Sequence, residues 1–336
     1  MRPSTDPADV SLPTSVPGLS VRRLRAPDDY ARMNEIANDQ RVADGVEFYT
    51  TVEQMQNHYS HLDHTDLALD VFLIELDGSL VGYVRAAWYD EAAVRAYEPM
   101  VFVDPAIDRE VVYPALFDLA DERIAELVAS HPPGPKVARA EVTDAGRIVE
   151  ATVRERGYRP VRTFHVMVRP TLDDLPDAAL PEALEIRDVR PEHMEAIYEA
   201  ELEAFRGHWG QPAPGDNARD RFFNDPVGSD TSLWRVAWDG DRVAGSVRSF
   251  IHAAQNERFG RKRGWVEHIS VGTPWRGRGL ARALIAAGFP LLRERGMTEG
   301  ALGVDTQNEF GAPRLYESCG FRTASTVRAF ERTLDA

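Results

Sequence analysis

A chain of 336 residues is long enough for two domains with separate cores, and 43% hydrophobic against 28% charged residues is the composition of an ordinary globular protein. A formal charge of −15 argues against a nucleic-acid partner, which is gripped through phosphates neutralised by Lys and Arg. No apolar run approaches the ~18 residues of a membrane span, and the single cysteine, Cys319, rules out an internal disulfide and suits a reducing, cytoplasmic setting.

In chain order, residues 1–18 read as a flexible tail, because Met1 to Val10 contain Pro, Ser and Asp and no apolar signal core. Three landmarks then occur twice. Leu19-Ser20-Val21-Arg22-Arg23-Leu24-Arg25 resembles Leu184-Glu185-Ile186-Arg187-Asp188-Val189-Arg190, an offset of 165 residues. Asp77-Gly78 before Val81-Gly82-Tyr83-Val84-Arg85 matches Asp239-Gly240 before Val243-Ala244-Gly245-Ser246-Val247-Arg248, and Gly157-Tyr158-Arg159 matches Gly320-Phe321-Arg322, at offsets of 162 and 163. Three matches in one order indicate a duplicated domain, since the period far exceeds the roughly 20–50 residues of solenoid repeats. The copies are placed at 19–169 and 184–336, joined by a Pro-rich acidic linker over 170–183.

The second copy reads as a strand at Leu184–Val189, a helix over Glu192–Phe205, and strands Ser232–Ala237 and Arg242–His252 around a Trp238–Asp241 turn. Arg258, Arg261, Lys262 and Arg263 are expected at a solvated hairpin tip. Next come a strand at Val266–Val271, a Gly-rich turn and a helix over Leu280–Arg295. Pro290 is expected to kink or end that helix. A strand at Gly300–Asp305, a helix at Glu309–Ser318 and a strand at Ala324–Glu331 complete the copy.

The turn carries the chemistry. In Val271-Gly272-Thr273-Pro274-Trp275-Arg276-Gly277-Arg278-Gly279-Leu280-Ala281, Gly277 and Gly279 permit tight backbone approach without a Cβ in the way, just before a helix whose first amides lack partners, an arrangement that attracts phosphate. A dinucleotide-binding loop is excluded because its third glycine position, 282, is Arg. A Walker loop is excluded because no Gly-Lys-Ser/Thr follows.

Arg276-Gly277-Arg278-Gly279-Leu280-Ala281 resembles the Gln/Arg-x-x-Gly-x-Gly/Ala signature of the GNAT superfamily of N-acetyltransferases, and Leu315-Tyr316-Glu317-Ser318-Cys319-Gly320-Phe321 resembles its closing Leu-Tyr-x-x-x-Gly-Phe. The resemblance implies two α/β (α+β) domains, each a mixed, mostly antiparallel sheet flanked by helices. It implies acetyl-CoA as cosubstrate without a metal, and transfer to the amine of a small molecule by direct attack. Carried over residue by residue, Arg276, Gly277, Arg278, Gly279, Leu280 and Ala281 meet the pyrophosphate. The main chain of Ile269, Ser270 and Val271 meets the pantetheine arm, and Asn308 either meets CoA or caps a helix. Glu267 takes the place of the general base and Tyr316 that of the general acid. His268 is expected on the opposite strand face, as a structural residue ahead of a proton relay, and Phe205, His208 and Trp209 line the acceptor site or pack a core.

The first copy lacks these parts. Asp108 and Glu110 fall opposite Gly277 and Gly279, Val153 opposite Tyr316, and Glu98 opposite Glu267, so the copy reads as a degenerate GNAT domain. A non-catalytic acyl-CoA-binding or regulatory module is the competing reading. A cysteinyl pseudo-disaccharide, an antibiotic and an amino sugar all stand as acceptors.

Overall fold

A computed structural model describes residues 16–91, 93–174 and 178–334. Most of the expected tail and the centre of the expected linker, Leu175–Asp177, lie outside the described residues. The chain forms two compact units: one runs up to Val161 and resumes at Val327, and the other spans Arg162–Thr326.

Elements follow in chain order as β1 (Leu19–Arg23), α1 (Tyr30–Ala43), α2 (Val52–Ser60), α3 (Leu67–Asp70), β2 (Val71–Leu76), β3 (Ser79–Asp90), β4 (Arg95–Val103), α4 (Arg109–Ser130), β5 (Lys136–Thr143), α5 (Arg147–Glu155) and β6 (Arg159–Arg169). The second half adds β7 (Glu185–Arg187), α6 (Met194–Phe205), α7 (Ala218–Asn224), β8 (Trp234–Asp239), β9 (Arg242–Phe250), α8 (Ala253–Phe259), β10 (Arg263–Val271), α9 (Leu280–Glu294), β11 (Glu299–Asp305), α10 (Ala312–Ser318) and β12 (Arg322–Leu334). Among the described residues no helix is long and apolar enough to cross a membrane.

In the first unit β1 to β4 pair antiparallel and β4 pairs parallel with β5. The other edge of β5 is filled by the end of the chain: Val327–Leu334 of β12 pairs antiparallel from Thr143 to Lys136. Phe330 of that segment is fully buried with Phe117, Tyr158 and Val153, and Glu331 accepts from Arg139 Nε at 2.9 Å. In the second unit β7 to β10 are antiparallel, β10 is parallel to β11, and residues 164–169 of β6 close the ladder antiparallel to β11. The last strand of each sequence copy therefore does not pack where its place in the chain suggests. Strand pairing is non-local, and periodicity cannot choose the partner.

Two-residue turns set the hairpins. Asp77 and Gly78 both have positive φ, the primed geometry that matches strand twist, whereas in the Gly240-Asp241 turn between β8 and β9 only Gly240 does so. In that unit α6 covers Trp234, Val236 and Trp238 on one sheet face. Leu280, Leu284, Phe289 and Leu292 of α9 cover Val247, Val266, Leu302 and Val304 on the other.

Several expectations are corrected here. Helix α9 runs unbroken through Pro290, because burying Phe289 and Leu292 on either side outweighs the lost backbone bond. The basic run is no hairpin tip: Arg258 lies in the last turn of helix α8, Gly260 caps it at φ +60, and Arg263 is buried against Glu299 at 2.7 Å. Helix α10 begins at Ala312 rather than Glu309, after Gly311 at φ +71. The expected linker is docked at its start, with Leu172 buried and its amide donating to Thr298 O at 3.1 Å.

Because Phe330 fills the first unit's core, Phe330→Ala should destabilise that unit by about 3–5 kcal/mol. Hydrogen exchange should show protection lost in β5 and retained in β10 and β11. Equal loss in both sets would contradict the strand placement.

Candidate active site

The site begins where two strands part. The parallel ladder between β10 and β11 holds for three pairs, Arg263 with Glu299, Gly264 with Gly300 and Trp265 with Ala301, and then stops although both strands continue. A register slip against β9 accompanies the parting: Glu267 faces Arg248, but Ser270 faces Ser246. This bulge turns the strand, and it puts His268 at φ +49, a left-handed conformation unfavourable for a residue with a Cβ. Beyond the slip, β9 and β10 run so close at Gly245 that a Cβ there would lie 2.6 Å from Ser270 O.

A cleft of about 550 Å³ fills the gap. Ile269, Ser270 and Val271 form one wall, and Gly303, Val304 and Tyr316 form another. The start of α9 closes one end through Arg276, Gly277, Gly279, Leu280 and Ala281. Asn308, Phe205 and His208 complete the expected residues that line it. Arg278 is exposed and lies outside the lining, and Trp209 packs against Phe164 with ring centroids 5.8 Å apart.

Gly277 and Gly279 sit at φ +71 and +81, with nothing within 4 Å of a Cβ built on either. They are glycines for backbone conformation rather than for space. No side chain caps α9, and among the described residues the amides of Arg278 to Arg282 have no acceptor within the protein. Trp275 anchors the turn: its buried indole donates to Asp239 Oδ2 at 3.0 Å. Such a helix start, open and held in place, fits a phosphate. Arg276 is already engaged. It donates to Val271 O at 3.0 Å and Ala204 O at 3.2 Å, and its guanidinium lies 4.2 Å from the Phe310 ring centroid. Asn308 Oδ1 accepts from the Phe310 amide at 3.0 Å and from the Ala312 amide at 3.4 Å, a side-chain turn ahead of α10, whose N-cap residue is Gly311.

Glu267 is not on the cleft wall. Its Oε1 accepts from the Gly303 amide at 2.7 Å, a donor left without a strand partner on that side by the parting, and Gly303 is on the wall. Burial pushes the Glu267 carboxyl up to about 7, against the opposing pull of His268 and the Gly303 amide. Tyr316 is 8% exposed, and burial followed by the charge of Glu267 raises its phenol above the ordinary range. Among the described residues its hydroxyl has no hydrogen-bond partner, so it is free to donate into the cleft. Burial, then Arg276, lowers the His208 imidazole, and burial raises the Cys319 thiol.

Sequence reasoning missed Gly303 and Phe310. A glycine inside a strand is the available signal for the first, since it marks a close approach. Phe310, 59% exposed over Arg276, left none. The expected strand face of His268 is also corrected: the bulge breaks alternation, and His268 Nδ1 lies 3.1 Å from Glu201 Oε1 on α6.

In the first unit β4 and β5 part likewise after Tyr97 and Ala138. There Asp108 caps α4, accepting from the Glu110 amide at 3.1 Å, and Val153 is buried. Glu98 is not the counterpart of Glu267. Met100 is the residue that faces Arg85, as Glu267 faces Arg248.

The sequence profile of the acetyltransferase (GNAT) family matches residues 194–321. A mycothiol acetyltransferase of Salinispora arenicola is 31% identical over 262 residues, covering 76% of this chain and 79% of that protein. Another, of Catenulispora acidiphila, is 28% identical over 327 residues, covering 92% and 97%. A GCN5-related N-acetyltransferase of Sphaerobacter thermophilus shares the fold, with a TM-score of 0.71 at 24% identity over 95% of this chain and 97% of that one.

Replacing Gly279 by Asp would set a carboxylate at the open amides on a backbone that disfavours any side chain. Calorimetric titration should show CoA binding to this unit lost, with thermal stability changed by less than about 2 kcal/mol. Unaltered CoA affinity would remove the helix start from the site.

Proposed function

The chain belongs to the GNAT family of acetyltransferases, and we propose that its second unit transfers the acetyl group of acetyl-CoA to the amine of a small molecule by direct attack on the thioester. One observation carries this reading. An uncapped helix start opens into a single cleft that reaches both the Tyr316 hydroxyl and the Gly303 amide that holds Glu267. Acetyl-CoA supplies the activated acyl carbon, and positioning does most of the rest.

The amides at the start of α9 bind the pyrophosphate, and the open edge of Ile269–Val271 binds the pantetheine arm as an added strand would. A main-chain amide on that edge stabilises the negative oxygen of the addition step. Arg276 acts by bracing the turn against Val271 and Ala204. Glu267, set behind the cleft wall, takes a proton from the acceptor through an intervening water, a task suited to a carboxyl near 7. Tyr316 stays protonated throughout the working range. Full transfer from even an ordinary phenol to a thiolate is uphill by roughly 2 kcal/mol, so its role is hydrogen-bond donation to the departing sulfur.

In the first unit Asp108 already supplies a carboxylate to the helix start, which opposes a pyrophosphate there. Residues 19–169 and 184–336 are the copies of a duplicated domain, of which only the second retains the machinery. The names of the relatives put a cysteinyl pseudo-disaccharide first among acceptors.

Turnover is measured as CoA thiol released from acetyl-CoA with a cysteinyl pseudo-disaccharide, D-glucosamine or kanamycin. CoA binding without turnover on amines would overturn the enzyme reading. A base must be ionised to act, so kcat/KM should rise with pH through about 7 and level above it. Glu267→Gln should lower the plateau roughly 100-fold or more and erase that limb. Tyr316→Phe should cut kcat about tenfold or more and leave CoA affinity within a few fold.

A further inference from the structure

The roles above leave a cluster beside Glu267 unused. Glu201 of α6 is buried, and its Oε1 accepts from Arg248 Nη2 at 2.9 Å. Arg248 faces Glu267 across the β9–β10 ladder. His268 Nδ1 lies 3.1 Å from the same Glu201 oxygen, while half of the His268 side chain is exposed, at 49%.

Chemistry fixes the tautomer. An ionised carboxylate can only accept, so Nδ1 carries the hydrogen and Nε2 is left as a proton acceptor. The contact exists because of the bulge: a regular strand would send His268 to the face away from Glu267, and α6 would have no imidazole to hold. A strained backbone kept at one residue, with its side chain tied to a buried acid, is a built feature of the fold.

We propose that His268 carries the proton taken by Glu267 out to bulk water, with Glu201 as the positioning residue that fixes its tautomer. This inference rests on Glu267 being the base. An ammonium acceptor gives up two protons as its C–N bond forms and the C–S bond breaks. One ends on the CoA sulfur. The other passes from Glu267 to His268 Nε2, and the imidazolium, beside the Glu201 carboxylate, loses it to water. Glu267 is then ionised again for the next turnover. Of the charged groups nearby, Glu201 on α6 contacts His268, Arg248 on β9 binds Glu201 and faces Glu267, and Glu267 precedes His268 on β10.

The test uses the full chain with acetyl-CoA and any of the three acceptors that turns over. His268→Ala should lower kcat by about 10- to 100-fold with KM for acetyl-CoA unchanged, and added imidazole should restore the rate in proportion to its concentration. His268→Asn guards against a damaged bulge, since Asn tolerates positive φ, and it should show the same loss and the same rescue. Glu201→Gln retains an acceptor for Nδ1 but removes the charge, so it should move the kcat–pH limb to lower pH. Wild-type kcat in either His268 variant, or a loss that imidazole does not restore, overturns the relay and leaves the acetyltransferase reading intact. An unchanged profile in Glu201→Gln removes Glu201 from it. A wild-type chain that binds CoA but releases no thiol with any acceptor overturns the parent reading and the relay together.

Discussion

The second unit depends on a ladder that stops early. After Trp265 and Ala301 the parallel strands β10 and β11 cease to pair, leaving main-chain donors and acceptors of both facing a gap. Unpaired backbone groups away from water are costly, so each needs a partner. One is internal: the Gly303 amide takes the Glu267 carboxylate. The others edge a cleft whose far end is the bare start of α9. The same parting thus yields an open strand edge for an amide-bearing arm, a half-buried carboxylate with a raised pKa, and an approach to a phosphate site.

The first unit keeps the skeleton and changes its charges. Its strands part in the same way after Tyr97 and Ala138, so the groove is a property of the fold rather than of the activity. What differs is local. A carboxylate from Asp108 meets the start of α4, where in the second unit Gly279 leaves the helix start open. A helix dipole is indifferent to the source of its anion, and one supplied by the chain competes with any other.

Much of the site was legible as sequence because it is local. A glycine pair before a helix, Tyr316 in a short closing motif, and Ile269–Val271 immediately ahead of the turn all lie in the cleft lining. The failures were of two kinds. Alternation misplaced His268, because one extra residue in a strand reverses the face of everything after it. The resemblance set the Arg276 charge on the pyrophosphate, and no local pattern showed that the fold brings Val271 O, Ala204 O and the Phe310 ring around its guanidinium. Pro290 was overvalued for a related reason: the local penalty is real, and the buried face of α9 exceeds it.

Sequence alone indicated an internal repeat, most helix and strand types of the second copy, and the glycine turn ahead of α9, because these follow from composition and short-range periodicity. Only the tertiary structure decided which strand closes which sheet, that the end of the chain completes the first unit, and that Glu267 lies behind the cleft wall on the Gly303 amide. It also decided that His268 meets Glu201. The reason is distance along the chain: a partner tens or hundreds of residues away is selected by packing and by the need to satisfy buried backbone, and neither is written in any local pattern.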